Sequence, residues 1–157
     1  MSLSLTPIPS SSLASIASTP ELLAPTLLFR VGSTLYGCDV HDAQEILPLR
    51  PATRLPGAPA YVHGLVNVRG TIVTVLDLGR RLDPAHHRTS AGSVLLVRRR
   101  DRLVGLIVDA VVDVRPLDID RSAGSSDAAL VRGLATLGGD TIVVLDLDAL
   151  IAQVLLT

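Results

Sequence analysis

The side chains that could do chemistry in this chain are few and widely scattered. Cys38 lies within a predicted strand with no base nearby, which is typical of a small buried apolar residue. His86 and His87 are adjacent, so on a regular element they would point in different directions, and a solvated loop explains them best. His41 and His63 have no ligand-like spacing to Cys, Asp or Glu. These residues therefore predict no metal site.

Two carboxylates recur at matched places in the chain. Asp77 and Asp146 each end a Val- and Leu-rich strand and begin a short apolar helical pattern, so helix capping explains both without catalysis. The sequence has no Gly-rich phosphate loop and no serine elbow. All 14 basic residues are arginines, which excludes a lysine nucleophile or Schiff base. We therefore predict no enzymatic activity and no cofactor.

Composition narrows the classes of partner. The net charge is -1 and aromatic residues make up 2% of the chain, so neither bulk attraction to nucleic acid nor base stacking is expected. The basic run from Arg98 to Arg102 is explained by a solvated hairpin tip. The apolar runs are too short to span a membrane, and no basic residue precedes Arg30 as a secretory signal would require. With one cysteine, the chain is predicted to be a soluble cytoplasmic protein.

The chain contains an internal repeat. Gly37 matches Gly105 at an offset of 68 residues, while Gly64 matches Gly133 at an offset of 69. The Leu-Asp-Leu triplets at 76–78 and 145–147 also match at the second offset. Two matched halves predict two similar units related by a pseudo-twofold axis, with function expected in the groove between them.

Short strand patterns recur in both halves, at about residues 26–82 and 93–155. Residues 1–25 are rich in Ser, Pro and Thr and are predicted to form a flexible tail. Each half then shows about five short strands, interpreted as antiparallel, and a final helix runs through Leu155. Ala58–Tyr61 is predicted as one helical turn. Because five short twisted strands cannot bury both faces as an open sheet, closure into a small barrel is expected in each half.

The two halves differ at one polar site. Asn67 and Arg69 interrupt an apolar strand and, by the period of two, were expected on one face. The second half has Thr136 and Gly138 at these positions. Two interpretations of Arg69 stay open: an ion pair with a carboxylate such as Glu45 or Asp109, or a contact with a partner protein.

Several blocks together resemble the CheW-like family of chemotaxis coupling proteins. In the first half the matching text is Ala43-Gln44-Glu45-Ile46-Leu47, Arg54–Pro59 and Tyr61–Leu78. In the second half it is Val104–Asp109 and Val111–Val114. The resemblance implies a mainly β fold of two small five-stranded SH3-like barrels, intertwined within a domain at 26–157. Ala43 stands where this family usually has Val, and Thr74 where it usually has Pro.

The resemblance also implies a function. Such proteins are adaptors that link the cytoplasmic tip of chemoreceptors (methyl-accepting chemotaxis proteins) to the regulatory domain of a chemotaxis histidine kinase, and are recruited to membrane-associated receptor arrays. The alternatives left open are the equivalent coupling or scaffold protein of a pilus- or surface-motility system, and a scaffold that works without receptors. The predicted receptor-binding residues are Val40, Ala43, Glu45, Ile46, Asn67, Arg69 and Leu95.

Overall fold

The computed structural model describes residues 23–87, 92–123 and 130–155. The predicted tail lies almost wholly outside these ranges, although Ala24 and Pro25 already belong to the first strand. The sequence Gly124-Ser125-Ser126 predicts a loop, and it also lies outside the described residues.

The described residues form ten strands, close to the positions that the hairpin signals indicate. Their bounds are β1 Ala24–Val31, β2 Thr34–Asp39, β3 Ala43–Pro48, β4 Val62–Val68, β5 Thr71–Asp77, β6 Ser93–Arg99, β7 Arg102–Val108, β8 Ala110–Leu117, β9 Val131–Leu137 and β10 Asp140–Leu145. The helical segments are the α-helices Leu78–Leu82 and Leu147–Leu155 and the short 3-10 turns Val40–Asp42 and Arg121–Ala123.

The strands form two five-stranded sheets, and each sheet takes strands from both repeats. One has the order β8-β1-β2-β10-β9 and the other β3-β6-β7-β5-β4. The pairs β2–β10 and β5–β7 are parallel. The expectation that each half has its own antiparallel strand set is therefore wrong. The strand pairings of the two sheets correspond to one another. However, β5 of the first repeat lies beside β7 of the second, and β10 of the second repeat lies beside β2 of the first.

The chain divides into two compact units that follow the sheets. The terminal unit contains the residues up to Asp42 and those from Val111 onward, and the central unit contains Ala43–Ala110. Each has an apolar core built from alternating strand residues, as burial of one sheet face requires. The core of the terminal unit contains Leu28, Leu35, Val112, Leu117, Ala135, Ile142 and Val144. The core of the central unit contains Leu47, Val66, Val68, Val73, Val75, Val94, Leu96 and Ile107.

Asp77 and Asp146, which occupy matched positions of the two repeats, both cap a helix. Asp77 Oδ1 accepts the backbone N–H of Arg80 at 3.3 Å, and Asp146 Oδ1 accepts that of Ala149 at 3.1 Å. Both predicted helix caps are therefore confirmed, with Asp146 rather than Asp148 capping the second helix. A carboxylate at this position satisfies a backbone N–H that the first helical turn leaves without a partner.

Three local predictions need correction. The β-rich run from Leu35 to Val40 predicts a strand through Val40, but the strand ends at Asp39, and Val40 lies in the 3-10 turn that follows it. Ala58–Tyr61 is not helical, and a single Val62 N–H to Pro59 carbonyl bond of 2.9 Å closes a turn there. His86 is not a solvated loop residue: its side chain is 12% exposed and packs so closely on Gly79 that an added Cβ would meet the imidazole.

Candidate partner-binding surface

The side chains that could do chemistry do not form a reactive site among the described residues. Cys38 is fully buried, as predicted, and burial with the nearby carboxylates of Asp42 and Asp39 raises the pKa of its thiol well above the usual range. A buried thiol of raised pKa is a poor nucleophile. Within 23–87, 92–123 and 130–155, no group of three or more His, Cys, Asp or Glu side chains could hold a metal ion.

The structure brings most of the predicted receptor-binding residues together on the central unit. Ala43, Glu45 and Ile46 lie on β3, Asn67 lies near the end of β4, and Arg69 lies in the turn after it. Two members of the set do not fit. Val40 belongs to the terminal unit, and Leu95 is completely buried, so it has no surface to offer a partner.

Glu45 and Arg69 form a two-pronged ion pair across the surface of the central unit. Arg69 Nη1 donates to Glu45 Oε1 at 2.7 Å, and Nη2 donates to Oε2 at 2.5 Å. The hydrogen bond from Arg69 holds the pKa of Glu45 below its usual range, and the same bond raises the pKa of Arg69. Glu45 and not Asp109 is therefore the carboxylate partner of Arg69. The pair stays accessible, because 72% of the Arg69 side chain is exposed.

Asn67 supports the turn that carries Arg69. Its Oδ1 accepts the backbone N–H of Gly70 at 2.8 Å, which closes the β4–β5 hairpin. Arg69 adopts a positive φ of 51° in this turn and lies beyond the end of β4. The expectation that Asn67 and Arg69 share one face by strand alternation is therefore wrong, since Arg69 is not a strand residue.

Ile46 is an exposed aliphatic residue of β3 and follows Glu45 in the chain. It is 45% exposed although it lies within a strand, and it pairs directly with buried Leu95 of β6. Directly paired residues of an antiparallel ladder lie on the same face of the sheet, so Leu95 is the buried neighbour of Ile46 and not a second contact. Leu47, which follows Ile46 on β3, points to the opposite face, into the core of the central unit.

Arg98 is a polar neighbour of β3 that the sequence analysis does not identify. Arg98 Nε donates to Gln44 Oε1 at 2.9 Å, which brings the basic hairpin of β6 and β7 next to β3. Arg98 was assigned only to a solvated hairpin tip. Since 54 residues separate the two side chains, no local pattern could have paired them.

We use the name coupling surface for Ala43, Gln44, Glu45, Ile46, Asn67, Arg69 and Arg98. It combines one exposed aliphatic side chain with an accessible ion pair and amide groups. Such a surface can bury a small apolar anchor of a partner while its charged rim sets orientation. It offers no nucleophile–base pair.

None of the helices among the described residues is long and apolar enough to cross a membrane. The CheW-like domain family matches residues 25–155. The chemotaxis protein CheW of Rhizobium meliloti is 33% identical over 136 residues, which cover 82% of this chain and 85% of that protein. Protein PilI of Pseudomonas aeruginosa is 32% identical over 96 residues, covering 59% of this chain and 52% of that protein.

A solved structure gives the same result for the fold. Scaffolding protein TtCheW from Thermoanaerobacter tengcongensis matches with a TM-score of 0.71 and 29% identity, over 83% of this chain and 88% of that chain. The predicted fold class, mainly β with two five-stranded SH3-like units, is confirmed. With its matched strands, its capped helices and a family match over residues 25–155, the chain belongs to the CheW-like family of chemotaxis scaffold proteins.

Proposed function

We propose that this chain is a non-enzymatic adaptor that couples the cytoplasmic tip of chemoreceptors to a chemotaxis histidine kinase. It would act in the cytoplasm, recruited to membrane-associated receptor arrays. The observation that carries the proposal is the family match across residues 25–155 in a chain whose coupling surface is accessible. An adaptor needs surfaces and not a reaction centre, which agrees with the inert setting of Cys38.

The receptor would bind on the coupling surface. Ile46 would enter an apolar contact with a receptor helix, as in helix-in-groove recognition, and burial of such a side chain stabilises a complex by about 1.5–3 kcal/mol. Glu45 and Arg69 would set orientation, because charges across an interface exclude wrong partners more than they add affinity. Val40, which belongs to the terminal unit, also stays a proposed receptor contact.

The kinase would use a different surface. The family resemblance implies that the kinase regulatory domain has the same double-barrel fold, so exposed strand edges of the two proteins could pair pseudo-symmetrically. A modest interface of this kind binds with micromolar-order affinity on its own and becomes tight through avidity in an array. Receptor and kinase should therefore bind this chain together.

A pair of matched substitutions tests the receptor surface. Ile46→Glu places a charge at the centre of the proposed contact, and we expect capture of a receptor-tip fragment to fall at least about tenfold. Leu55→Glu is the control, because Leu55 is similarly exposed on the same unit, at 40%, and lies outside the coupling surface. Circular dichroism should give both variants nearly parental melts. Equal loss in the two variants, or retained binding by Ile46→Glu, would rule out this surface.

A competition measurement tests the two-surface arrangement. The chain is loaded with the kinase regulatory domain, and the receptor-tip fragment is added to saturation. We expect a ternary complex by analytical ultracentrifugation. One-for-one displacement of the kinase domain would show that the two partners share a surface.

The likeness to PilI supports a second candidate, the equivalent coupling protein of a pilus-linked chemosensory system. The two candidates differ in the receptor and kinase that they serve and not in the coupling surface. Capture with receptor tips from each system encoded in the same genome separates them. Preference for the pilus-linked receptor by tenfold or more would select the second candidate.

A further inference from the structure

A half-open pocket lies on the central unit, away from the residues of the coupling surface. Its volume is about 500 Å³, within the range of about 300–1,000 Å³ that is usual for small-molecule sites. The proline-rich connection after β3, the start of β4, the start of helix Leu78–Leu82 and the segment after that helix all contribute to it. Its polar lining consists of Arg54, His63, Asp77, Arg80 and His87.

Positive charge exceeds negative charge in this lining. Asp77 is the one acidic side chain that lines the pocket, and its carboxylate is already engaged. Its Oδ1 accepts the N–H of Arg80, and its Oδ2 lies 4.0 Å from Arg80 Nε. Arg54 is exposed and forms no ion pair within the part of the chain that the structure describes. The Arg54 guanidinium is therefore held by no ion pair among the described residues, and the lining has more basic side chains than its one carboxylate.

His63 adds a second, independent feature. Its Nε2 atom is shielded from solvent and has no hydrogen-bond partner among the described residues, and the residue itself lines the pocket. Buried polar atoms are nearly always hydrogen-bonded, so an orphaned one beside a cavity marks a place where a ligand group or ordered water belongs.

The other repeat has an ion pair at the corresponding position. At an offset of 69 residues, His63 corresponds to Arg132 and Asp77 to Asp146. In the terminal unit Arg132 Nη2 lies 3.7 Å from Asp146 Oδ1, so the basic and acidic partners face each other. In the central unit a histidine replaces this arginine, and no ion pair between His63 and Asp77 is formed among the described residues.

We propose that this pocket binds an oxyanion, held by the Arg54 guanidinium and by the imidazole of His63. A planar guanidinium presents paired donors that suit carboxylate and phosphate oxygens, and an imidazole N–H adds a directed donor. The oxyanion could be a free anion or the carboxylate of an acidic side chain on a partner protein, and the chemistry of recognition is the same for both.

The first experiment uses the full chain and sulfate, whose charge does not change near neutral pH. Sulfate is titrated against chloride at constant ionic strength while amide and His63 imidazole signals are followed by NMR. Because sulfate also stabilises folded proteins by exclusion from their surface, a melting shift alone is not a readout of binding. We expect saturable shifts around the pocket with a dissociation constant of millimolar order.

Two arginine variants distinguish a site from general salt effects. Arg54→Gln removes the uncompensated guanidinium, and we expect sulfate affinity to fall about tenfold or more. Arg102→Gln is the control, because Arg102 is also exposed and lies on the β6–β7 hairpin outside the pocket. Shifts that do not saturate, or equal weakening in both variants, would overturn the proposal.

A second arm identifies the source of the oxyanion. Arg54→Gln and parent are compared for capture of the receptor-tip fragment and of the kinase domain, with and without sulfate. Loss of capture of one partner, together with competition by sulfate, identifies a carboxylate of that partner. Unchanged capture identifies a free anion. This arm rests on the proposed function, while the sulfate titration does not, so a failure of either is distinguishable.

Discussion

The β4–β5 and β9–β10 hairpins have the same backbone but different turn side chains. Arg69 and Gly70 have φ values of 51° and 85°, and Gly138 and Gly139 have values of 57° and 86°. Both are two-residue turns with positive φ at each position, the pattern that matches the twist of hairpin strands. The turn of the terminal unit uses two glycines, whereas that of the central unit accepts an arginine where an L-residue is strained.

The difference between Arg69 and Gly138 distinguishes a residue that the backbone of the turn favours from one that serves the protein surface. Glycine adopts the left-handed conformation without steric cost, so the fold alone would favour Gly at position 69 as at 138. Strained residues persist where their side chains serve another purpose. The side chain of Arg69 pairs with Glu45 on an accessible surface, which supports a role beyond folding.

The largest effect on stability should come from Gly64 and Gly133, the glycines at matched positions of the two repeats. Gly64 has a φ of 146°, and a Cβ there would lie 2.4 Å from the carbonyl oxygen of Thr53. Gly64→Ala should therefore lower the free energy of unfolding by about 2–6 kcal/mol, through backbone strain and a clash with backbone. Gly133→Ala should also destabilise, because the carbonyl oxygen of Asp120 lies 2.6 Å from the added atom. Urea unfolding measures both.

The control for these glycines is Gly57→Ala. Gly57 also has a positive φ, of 78°, but its added Cβ would have no atom within 4 Å. The free energy of unfolding that Gly57→Ala loses should therefore come from backbone strain alone. If Gly57→Ala and Gly64→Ala cost the same, close approach to Thr53 is not what requires glycine at position 64.

An intermediate effect should follow from making the central turn like the terminal one. Arg69→Gly relieves the positive-φ strain and removes the ion pair, so we expect the Tm to stay within about 5 °C of the parent. Receptor capture should fall at least tenfold, since the charged rim of the coupling surface is lost. The reciprocal Gly138→Arg should keep the fold and leave receptor capture unchanged. A collapse of the fold in Arg69→Gly would instead make the arginine structural.

The smallest effect concerns the ionisation of Glu45. Its pKa is lowered on folding by the hydrogen bond from Arg69, so its contribution to stability is present above its unfolded pKa of about 4 and is lost as pH falls through the lower folded value. The stability difference between parent and Glu45→Gln should therefore shrink between pH 6 and pH 2. In Arg69→Gly, the carboxyl carbon of Glu45 should titrate at a higher pKa than in the parent by NMR. A pH-independent difference would exclude this linkage.

Part of the coupling surface could be predicted from sequence, and part could not. Asn67 and Arg69 were found because they are the polar positions at which the repeats differ. Leu95 was misplaced because an apolar strand residue gives no sign of whether it faces solvent or interior, and it is fully buried. The pocket around Arg54 and His63 was missed, although the exchange of Arg132 for His63 between repeats was a visible signal.

Local sequence patterns specify the individual strands, turns and helices. Alternating apolar residues specify the strands, Arg69-Gly70 and Gly138-Gly139 specify tight turns, and the aspartates at 77 and 146 cap the helices. Each of these features depends on residues within a few positions of one another, and it therefore appears twice, once in each repeat.

The pairing of the strands depends on the folded chain as a whole. Because β5 and β10 have nearly the same pattern, either could join the edge of β2 or β7, and the sequence contains no local preference between them. In the folded chain β10 pairs with β2 and β5 with β7, so each sheet combines both repeats. The Glu45–Arg69 pair joins residues 24 apart, and the Gln44–Arg98 pair joins residues 54 apart. Such pairings depend on packing between distant segments, which no periodicity encodes.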